Sequence, residues 1–428
     1  MFTKLKKLNP WLWVPLAIGL IIRLAVLFFY GPGLSLNSDD YFYIDSAKHL
    51  LAEGELVYVN HEEPTVHIMP GLPMLVAAVF FIFGTGTFGL AAAKVVMILI
   101  GCLSIAGIYK IGERLFSPVA GSIAALITAL YLPMVVTDNL IATESPTTAA
   151  FIFFVYFSMR LADTHSMKDF FWVIGLYLFM LYFRPTVALF PFFLLIYLML
   201  KKYSFKLGLK QFGIAVILLL VVMGPWWFRN YVAYDAFIPL SGGAGNPTLL
   251  GTYQGHGYKY GPPMAEVVLS IEEEYPDSTR YEQNQYQMEV AKERIQTMWE
   301  HNPDWFIQTY TTSKLRIQWE DPFYWIEVFG VSIEEMKIIF RVLFWTSLVS
   351  FLLVFAFNKG TRREFFFISL FILYFTVMNN LYLAYPRYNQ PLLPFLFLGT
   401  GGFVHMIVRP WWTRRTRQRY KESPASGE

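Results

Sequence analysis

Two adjacent carboxylates, Asp39 and Asp40, stand in the segment 34–73, LSLNSDDYFYIDSAKHLLAEGELVYVNHEEPTVHIMPGLP, just after the first long apolar run. Carboxylates are costly to desolvate, so a pair at a water–lipid boundary points to chemistry, as a general base or a metal ligand. The plain structural alternative is helix capping. Asp40 precedes the amphipathic run YFYIDSAKHLLAEGE, and acids suit a helix N-terminus. Both readings can hold, one acid capping while the other faces a substrate. Glu144, in ATESPTTAAFIFF, stands at the mouth of an apolar run, where an unpaired carboxylate has little structural reason to be. Asp138 reads as an exposed turn residue beside Asn139.

Four basic residues face the same boundary. Arg184 (RPT), Arg229 (WWFRN) and Arg387 (YPRYNQP) end apolar runs, and Lys94 (AAAKVVMILIG) lies about two turns inside one. Lys94 alone reads as a snorkelling side chain. Together the four form a candidate clamp for a lipid phosphate. His61 and His67 flank Glu62 and Glu63, a spacing compatible with a divalent metal but not specific to one. The residues themselves require no cofactor. There is no phosphate-binding Gly-Lys loop, dinucleotide fingerprint or serine elbow, so a nucleotide-fed soluble enzyme and an ATP-driven pump are both unsupported. Nothing points to a nucleic-acid partner.

The elements that position these groups are membrane helices. The chain has 428 residues, 55% hydrophobic and only 15% charged, against about 25% charged in soluble proteins. Twelve Trp and 26 Tyr suit interfacial anchoring. The single Cys102 excludes an intramolecular disulfide and a Cys-based metal site. The expected fold is an all-α polytopic membrane protein. Its ten spans lie at 11–30, 88–109, 118–136, 144–161, 170–183, 187–200, 211–228, 338–357, 365–383 and 391–408. The two short runs around Arg184-Pro185-Thr186 read as a hairpin, and 71–84 as a helix lying along the interface. No cleavable signal follows Lys4, Lys6 and Lys7, so the first span is expected to be retained.

With 71–84 not crossing, twenty basic residues fall on one side. They are Lys4, Lys6, Lys7, Lys110, Arg114, Arg160, Lys168, Lys201, Lys202, Lys206, Lys210, Lys359, Arg362, Arg363, Arg409, Arg414, Arg415, Arg417, Arg419 and Lys421. By the positive-inside rule that side is cytoplasmic, with both termini on it. The organisation expected is a membrane catalytic module at 1–229, an outer region at 230–337, C-terminal spans at 338–408 and a basic cytoplasmic tail at 409–428. The catalytic module includes the acidic loop 32–70, the interfacial helix 71–84 and a second outer loop at 137–144. In the outer region the Gly/Pro-rich stretch 241–263 reads as loop, 278–301 as helix, and 302–319 as a further helix on the membrane surface. The tail beyond Arg414 is expected to be disordered.

The motif SDDYFYIDSAKHLLAEGE resembles the first loop of the polytopic GT-C glycosyltransferases, in particular the dolichyl-phosphate-mannose–protein mannosyltransferase-like family and the lipid A aminoarabinose transferases. MPGLPMLVAAVFFIFG, KIGERLFS, FRPTVALF, PWWFRNYVAYDAFIPLSGG and YPRYNQPLLP resemble later segments of that family, in order. The resemblance implies transfer of a sugar from a polyprenyl-phosphate donor to a protein, glycan or lipid acceptor, on the outer face of a bacterial inner membrane. It places Asp39 at the catalytic acidic position, Asp40 as its partner and Glu144 as the second acid. Lys94, Arg184, Arg229 and Arg387 then fall to the donor phosphate. Two rival functions share the chemistry or the setting: a lipid-linked glycan polymerase or ligase, and a lipid-linked sugar transporter or flippase. The absence of repeats, and the ionisable residues gathered at one interface, favour the transferase over the transporter.

Overall fold

The computed structural model describes residues 9–59 and 61–422, with side chains described to Val408. Lys4, Lys6 and Lys7, the side chains from Arg409 onward and residues 423–428 lie outside the described residues. Every apolar run expected to span is a helix: α1 (Pro10–Tyr30), α4 (Thr87–Leu115), α5 (Pro118–Leu130) with α6 (Leu132–Thr137), α7 (Glu144–Thr164), α8 (Met167–Phe183), α9 (Phe190–Leu200), α10 (Phe205–Tyr234), α16 (Ile333–Phe357), α17 (Arg362–Leu381) and α18 (Leu393–Glu422). Between them come the short α2 (Asp39–Glu53) and α3 (Gly71–Phe83), and between α10 and α16 a group of five, α11 (Gly245–Thr252), α12 (Met264–Glu274), α13 (Arg280–His301), α14 (Pro303–Gln308) and α15 (Lys314–Trp319). No strand occurs among the described residues; the pairing of Val328 with Val331 is an isolated bridge. Among the described residues six helices are long and apolar enough, by length and composition, to cross a membrane. The protein is an integral membrane protein.

Local chemistry sets the helix starts. The Asn9 side chain accepts from the Trp11 N–H ahead of Pro10, and Ser117 accepts from the Ala120 N–H ahead of Pro118. Thr279 with Glu282, and Ser332 with Glu335, form capping boxes that open α13 and α16. Between α8 and α9 the chain turns through Pro185–Val187, as the Arg-Pro-Thr hairpin requires. Helix α3 has 13 residues, about 20 Å, short of a hydrocarbon core of about 30 Å, and it packs on α2, α4 and α8.

The bundle is centred on α4, which packs against α1, α5 and α7, and on α18, which packs against α5 and α16. Phe151, Phe190, Phe371 and Phe395 fill its middle in edge and tilted contacts. Three expectations are corrected. Asp138 is buried, because Arg23 of α1 reaches it inside the bundle at 2.7 Å. The tail is helical as far as Glu422 rather than disordered beyond Arg414. The stretch 241–263 contains α11, a 3-10 turn at Gly255–Lys259 and tight packing rather than free loop. Its glycines serve close approach: a methyl on Gly251 would strike the Tyr382 carbonyl, and one on Gly245 the Asn284 carbonyl.

Gly251→Ala is therefore expected to destabilise the protein by about 1–3 kcal/mol through overpacking. Gly175→Ala in α8, where nothing lies within 4 Å of the added methyl, should be neutral or stabilising by up to ~1 kcal/mol. Thermal unfolding of the two variants separates close approach from mere flexibility.

Candidate active site

Helix α2 begins at Asp39, with Ser38 before it and Gly54 ending it at φ 76°. Helix α7 begins at Glu144. A short 3-10 strap, Pro386–Leu392, leads into α18 and carries Arg387. These three starting points converge. The Arg387 guanidinium donates from Nη1 to Asp39 Oδ2 at 2.8 Å, from Nε to Glu144 Oε1 at 2.6 Å, and from Nη2 to Glu144 Oε2 at 3.0 Å. Its fork is therefore bidentate on Glu144, the geometry for which a lysine is no substitute. Arg184, at the end of α8, adds a second cation to Glu144 and donates to Thr143 Oγ1 at 2.9 Å.

Exposure divides the four roles. The Glu144 side chain is 1% exposed and Arg387 9%, whereas Asp39 is 47% exposed. Asp39 is thus the acid that an incoming molecule can touch. Its other oxygen, Oδ1, accepts from the Tyr58 phenol at 3.3 Å. Burial, reinforced by Tyr43 and by the Asp39 carboxylate, pushes the Tyr58 phenol far above its usual range, so it stays a donor. Tyr43 is raised in the same way, by burial and then by Asp39. His67 stacks on Tyr58 with ring centroids 5.5 Å apart. Burial and the neighbouring Arg280 lower its pKa below the usual 6.5, while Asp39 opposes them.

The structure brings Asp39, Glu144, Arg184 and Arg387 into one cluster and leaves the other expected residues beside it. Asp40 is buried and accepts from the Leu36 and Ser38 N–H groups at 2.9 and 3.3 Å, so it folds the approach to α2. Lys94 is buried and donates to the Leu34 carbonyl of that same approach. Arg229 donates to the Thr65 carbonyl at 2.7 Å and the Leu56 carbonyl at 3.3 Å, bracing the far end of the first loop. Neither Lys94 nor Arg229 has a bond into the cluster. Proximity to one interface is a one-dimensional criterion, and carbonyls of a buried loop compete for cations as phosphates do.

His61 pairs with Asp45 at 2.6 Å and His67 with Tyr58, so the two histidines serve different partners. No group of three His, Cys, Asp or Glu side chains suited to a metal occurs among the described residues. Sequence reading missed Tyr58, Tyr43 and Tyr388. Tyr388 adjoins Arg387, and its ring lies 5.9 Å from the Arg184 guanidinium. Tyr58, in LVYVN, carries no local signal.

Residues 64–228 match the family model described as dolichyl-phosphate-mannose-protein mannosyltransferase. No curated protein matches the sequence. Among solved structures, ArnT from Cupriavidus metallidurans in the apo state superposes with a TM-score of 0.52 at 13% identity, covering 94% of this chain and 61% of that one. The oligosaccharyltransferase AglB from Archaeoglobus fulgidus, in complex with an inhibitory peptide and a dolichol-phosphate, gives 0.55 at 13% identity, covering 98% and 52%. The same organism's oligosaccharyltransferase tethered to an acceptor peptide gives 0.55 at 15%, covering 99% and 52%. This chain shares the fold of these solved structures, and the family match covers less than half of it. It spans between half and two thirds of the length of these solved structures. The matched segment 64–228 holds Glu144, Arg184 and Lys94, while Asp39 and Arg387 reach the cluster from outside it.

His67 gives a pH prediction with a definite sign. Its folded pKa lies below the unfolded value, so the unfolded chain binds the proton more readily, and stability is lost as pH falls below 6.5. The wild-type unfolding temperature should drop between pH 7 and pH 5 by more than that of His67→Gln. Parallel pH dependence in the two proteins would show that folding does not lower the His67 pKa.

Proposed function

We propose that this chain transfers a sugar from a polyprenyl-phosphate-linked donor to an acceptor hydroxyl, with inversion, at the extracytoplasmic face of a bacterial inner membrane. The observation that carries the reading is the joint hold of Arg387 on an exposed acid, Asp39, and a buried one, Glu144. The mannosyltransferase match and the GT-C fold support it. So does the dolichol-phosphate bound to the archaeal oligosaccharyltransferase, a ligand of the chemical class proposed for the donor.

The chemistry follows from charge and exposure. Asp39 accepts the proton of the acceptor hydroxyl as that oxygen attacks the anomeric carbon. The bond from that carbon to the phosphate oxygen breaks, and polyprenyl phosphate leaves with the electron pair. Arg387 and Arg184 lie where that developing charge would be met. Glu144 is the fixed counter-ion that keeps both guanidinium groups aimed, since its two oxygens are committed to them. Lys94, Arg229 and Asp40 act one step back, shaping the loop that presents Asp39. No covalent sugar–enzyme intermediate is required.

Asp39→Asn preserves shape but removes the proton acceptor. It should lower kcat by ~100- to 10,000-fold, about 3–5 kcal/mol of barrier, while donor binding persists. Arg387→Lys should also lose activity, because one ammonium cannot hold both Glu144 oxygens. Purified protein incubated with polyprenyl-phosphate sugars, followed by donor consumption, reads both. Near-wild-type turnover in Asp39→Asn would remove Asp39 as the base.

The facing of the site has its own test. Cysteines placed at exposed positions of α12 and α13 should be labelled by an impermeant reagent added outside, and cysteines at Lys202 or Lys206 should not. The reverse pattern would turn the active site toward the cytoplasm.

A further inference from the structure

Tyr43 stands one turn after Asp39 on α2, so the two side chains share a face of that helix. Its ring is held in place. It packs against the apolar cluster of α2, α3 and α4 that contains Leu72, Val76 and Met97, and its centroid lies 5.6 Å from that of the Tyr58 ring. Tyr58 is the phenol that donates to Asp39. The charges that act on the Tyr43 hydroxyl are those of Asp39, Arg387, Glu144 and Arg184, the whole of the cluster.

Yet that hydroxyl has no hydrogen bond among the described residues. A half-buried phenol beside two carboxylates and bonded to neither is unusual, because a polar group taken from water is normally paired. The carboxylates have other partners: Glu144 is taken by both arginines, and Asp39 by Arg387 and Tyr58. Burial and then Asp39 hold the phenol protonated, so it is a donor and not a base. The arginines are largely committed as well, and the four charges of the cluster cancel. A further anion arriving here needs a donor that does not already serve a carboxylate. Tyr43 is such a donor.

We propose that the Tyr43 hydroxyl donates to a phosphate oxygen of the polyprenyl-phosphate-linked donor and holds it more tightly as the sugar leaves. The proposal rests on the transfer reading and adds a residue to it. Of the two substrates, the acceptor hydroxyl calls for a base, which Asp39 supplies, and the phosphate calls for donors. The phosphodiester of the bound donor carries one negative charge. When the bond from the anomeric carbon to the phosphate oxygen breaks, the electron pair stays on that oxygen and the leaving phosphate carries two. No proton passes through Tyr43. Its bond strengthens as that charge grows, so it lowers the barrier more than it tightens the ground state. The packed ring matters here, since a donor already in place has nothing to reorganise when the charge develops.

Tyr43→Phe in the full chain tests this, since it removes the oxygen and leaves the ring. Its thermal unfolding midpoint in detergent should equal or exceed that of wild type; a much lower one would show that the hydroxyl has a partner in the fold and overturn the proposal. With a polyprenyl-phosphate sugar that the wild type consumes, kcat should fall about 10- to 100-fold and KM should change little. Binding of undecaprenyl phosphate, read as inhibition of turnover and as thermal stabilisation, should weaken about tenfold. Undecaprenol, which lacks the phosphate, should bind both proteins alike. Tyr58→Phe is the contrast: it releases Asp39, so kcat should fall while undecaprenyl phosphate binds as before. Unchanged kcat or unchanged undecaprenyl phosphate affinity in Tyr43→Phe, or an equal loss of affinity in Tyr58→Phe, overturns the proposal and leaves transfer standing. A wild type that neither consumes a polyprenyl-phosphate sugar nor binds undecaprenyl phosphate overturns the transfer reading, and this proposal with it.

Discussion

The half of this molecule that carries the acid–arginine cluster depends on one guanidinium. Arg387 bonds to Asp39 across 348 positions of chain and to Glu144 across 243, so three segments remote in sequence meet at a single side chain. Taking Glu144 out of water costs several kcal/mol unless its charge is met at good geometry. Here both oxygens are met, by Arg387 and Arg184, and the four charges of the cluster cancel. The arrangement is worth more for what it specifies than for net stability. The starts of α2 and α7 and the strap before α18 are held in one mutual register, with Asp39 left half in water.

That strap is a short 3-10 segment with little helical support of its own, so something else must hold it. The segment between α10 and α16 does this. Gln318 of α15 donates to Asn389 at 2.8 Å, Gln254 exchanges hydrogen bonds with Ala384 at 2.7 and 3.0 Å, and Lys314 donates to the Tyr382 carbonyl at 3.0 Å. From the bundle side Gln390 donates to Thr137 at 2.9 Å. Burial pushes the Lys314 ammonium down to about 7, so this clasp does not rest on a permanent buried charge. The segment between α10 and α16 therefore shapes the candidate site by fixing Arg387, and the glycines of α11 let it sit close enough to do so.

Much of this was legible in the sequence. Long apolar runs have one stable solution in lipid, so each expected span appears as a helix. Asp39, Glu144, Arg184 and Arg387 could be singled out because each is expensive to place where it stands. Lys94 and Arg229 met the same criterion and went elsewhere, because which acceptor a cation finds is a three-dimensional matter. Tyr58 was invisible: a tyrosine in an apolar stretch looks alike whether it packs or donates to a carboxylate. Asp138 was misread for want of its partner. A lone Arg23 inside a run of apolar residues demanded an acid somewhere in the bundle, and Asp138 was the available one. The Gly-rich stretch was misread because glycine signals close approach and flexibility with the same letter.

Arg23 and Asp138 also explain why Glu144 is so well placed. Arg23 donates to Asp138 at 2.7 Å and to the Ala129 carbonyl at 3.1 Å, while Asn139 donates to the Arg23 carbonyl at 3.2 Å. Asp138 in turn accepts from Ser145, the residue next to Glu144. Glycines make room for this pair: a methyl on Gly101 of α4 would strike the Asp138 carboxylate, and one on Gly19 would crowd Arg23. A polar column thus runs from the inside of α1, through Asp138 and the first turn of α7, to Glu144, Arg387 and Asp39. Two buried atoms of this column, Arg23 Nη2 and Asn139 Oδ1, have no hydrogen-bond partner, so it fixes positions more than it adds stability. A column of this kind therefore turns the position of α1 into a constraint on the acid at the surface, which is how a first span with no group in the site takes part in building it.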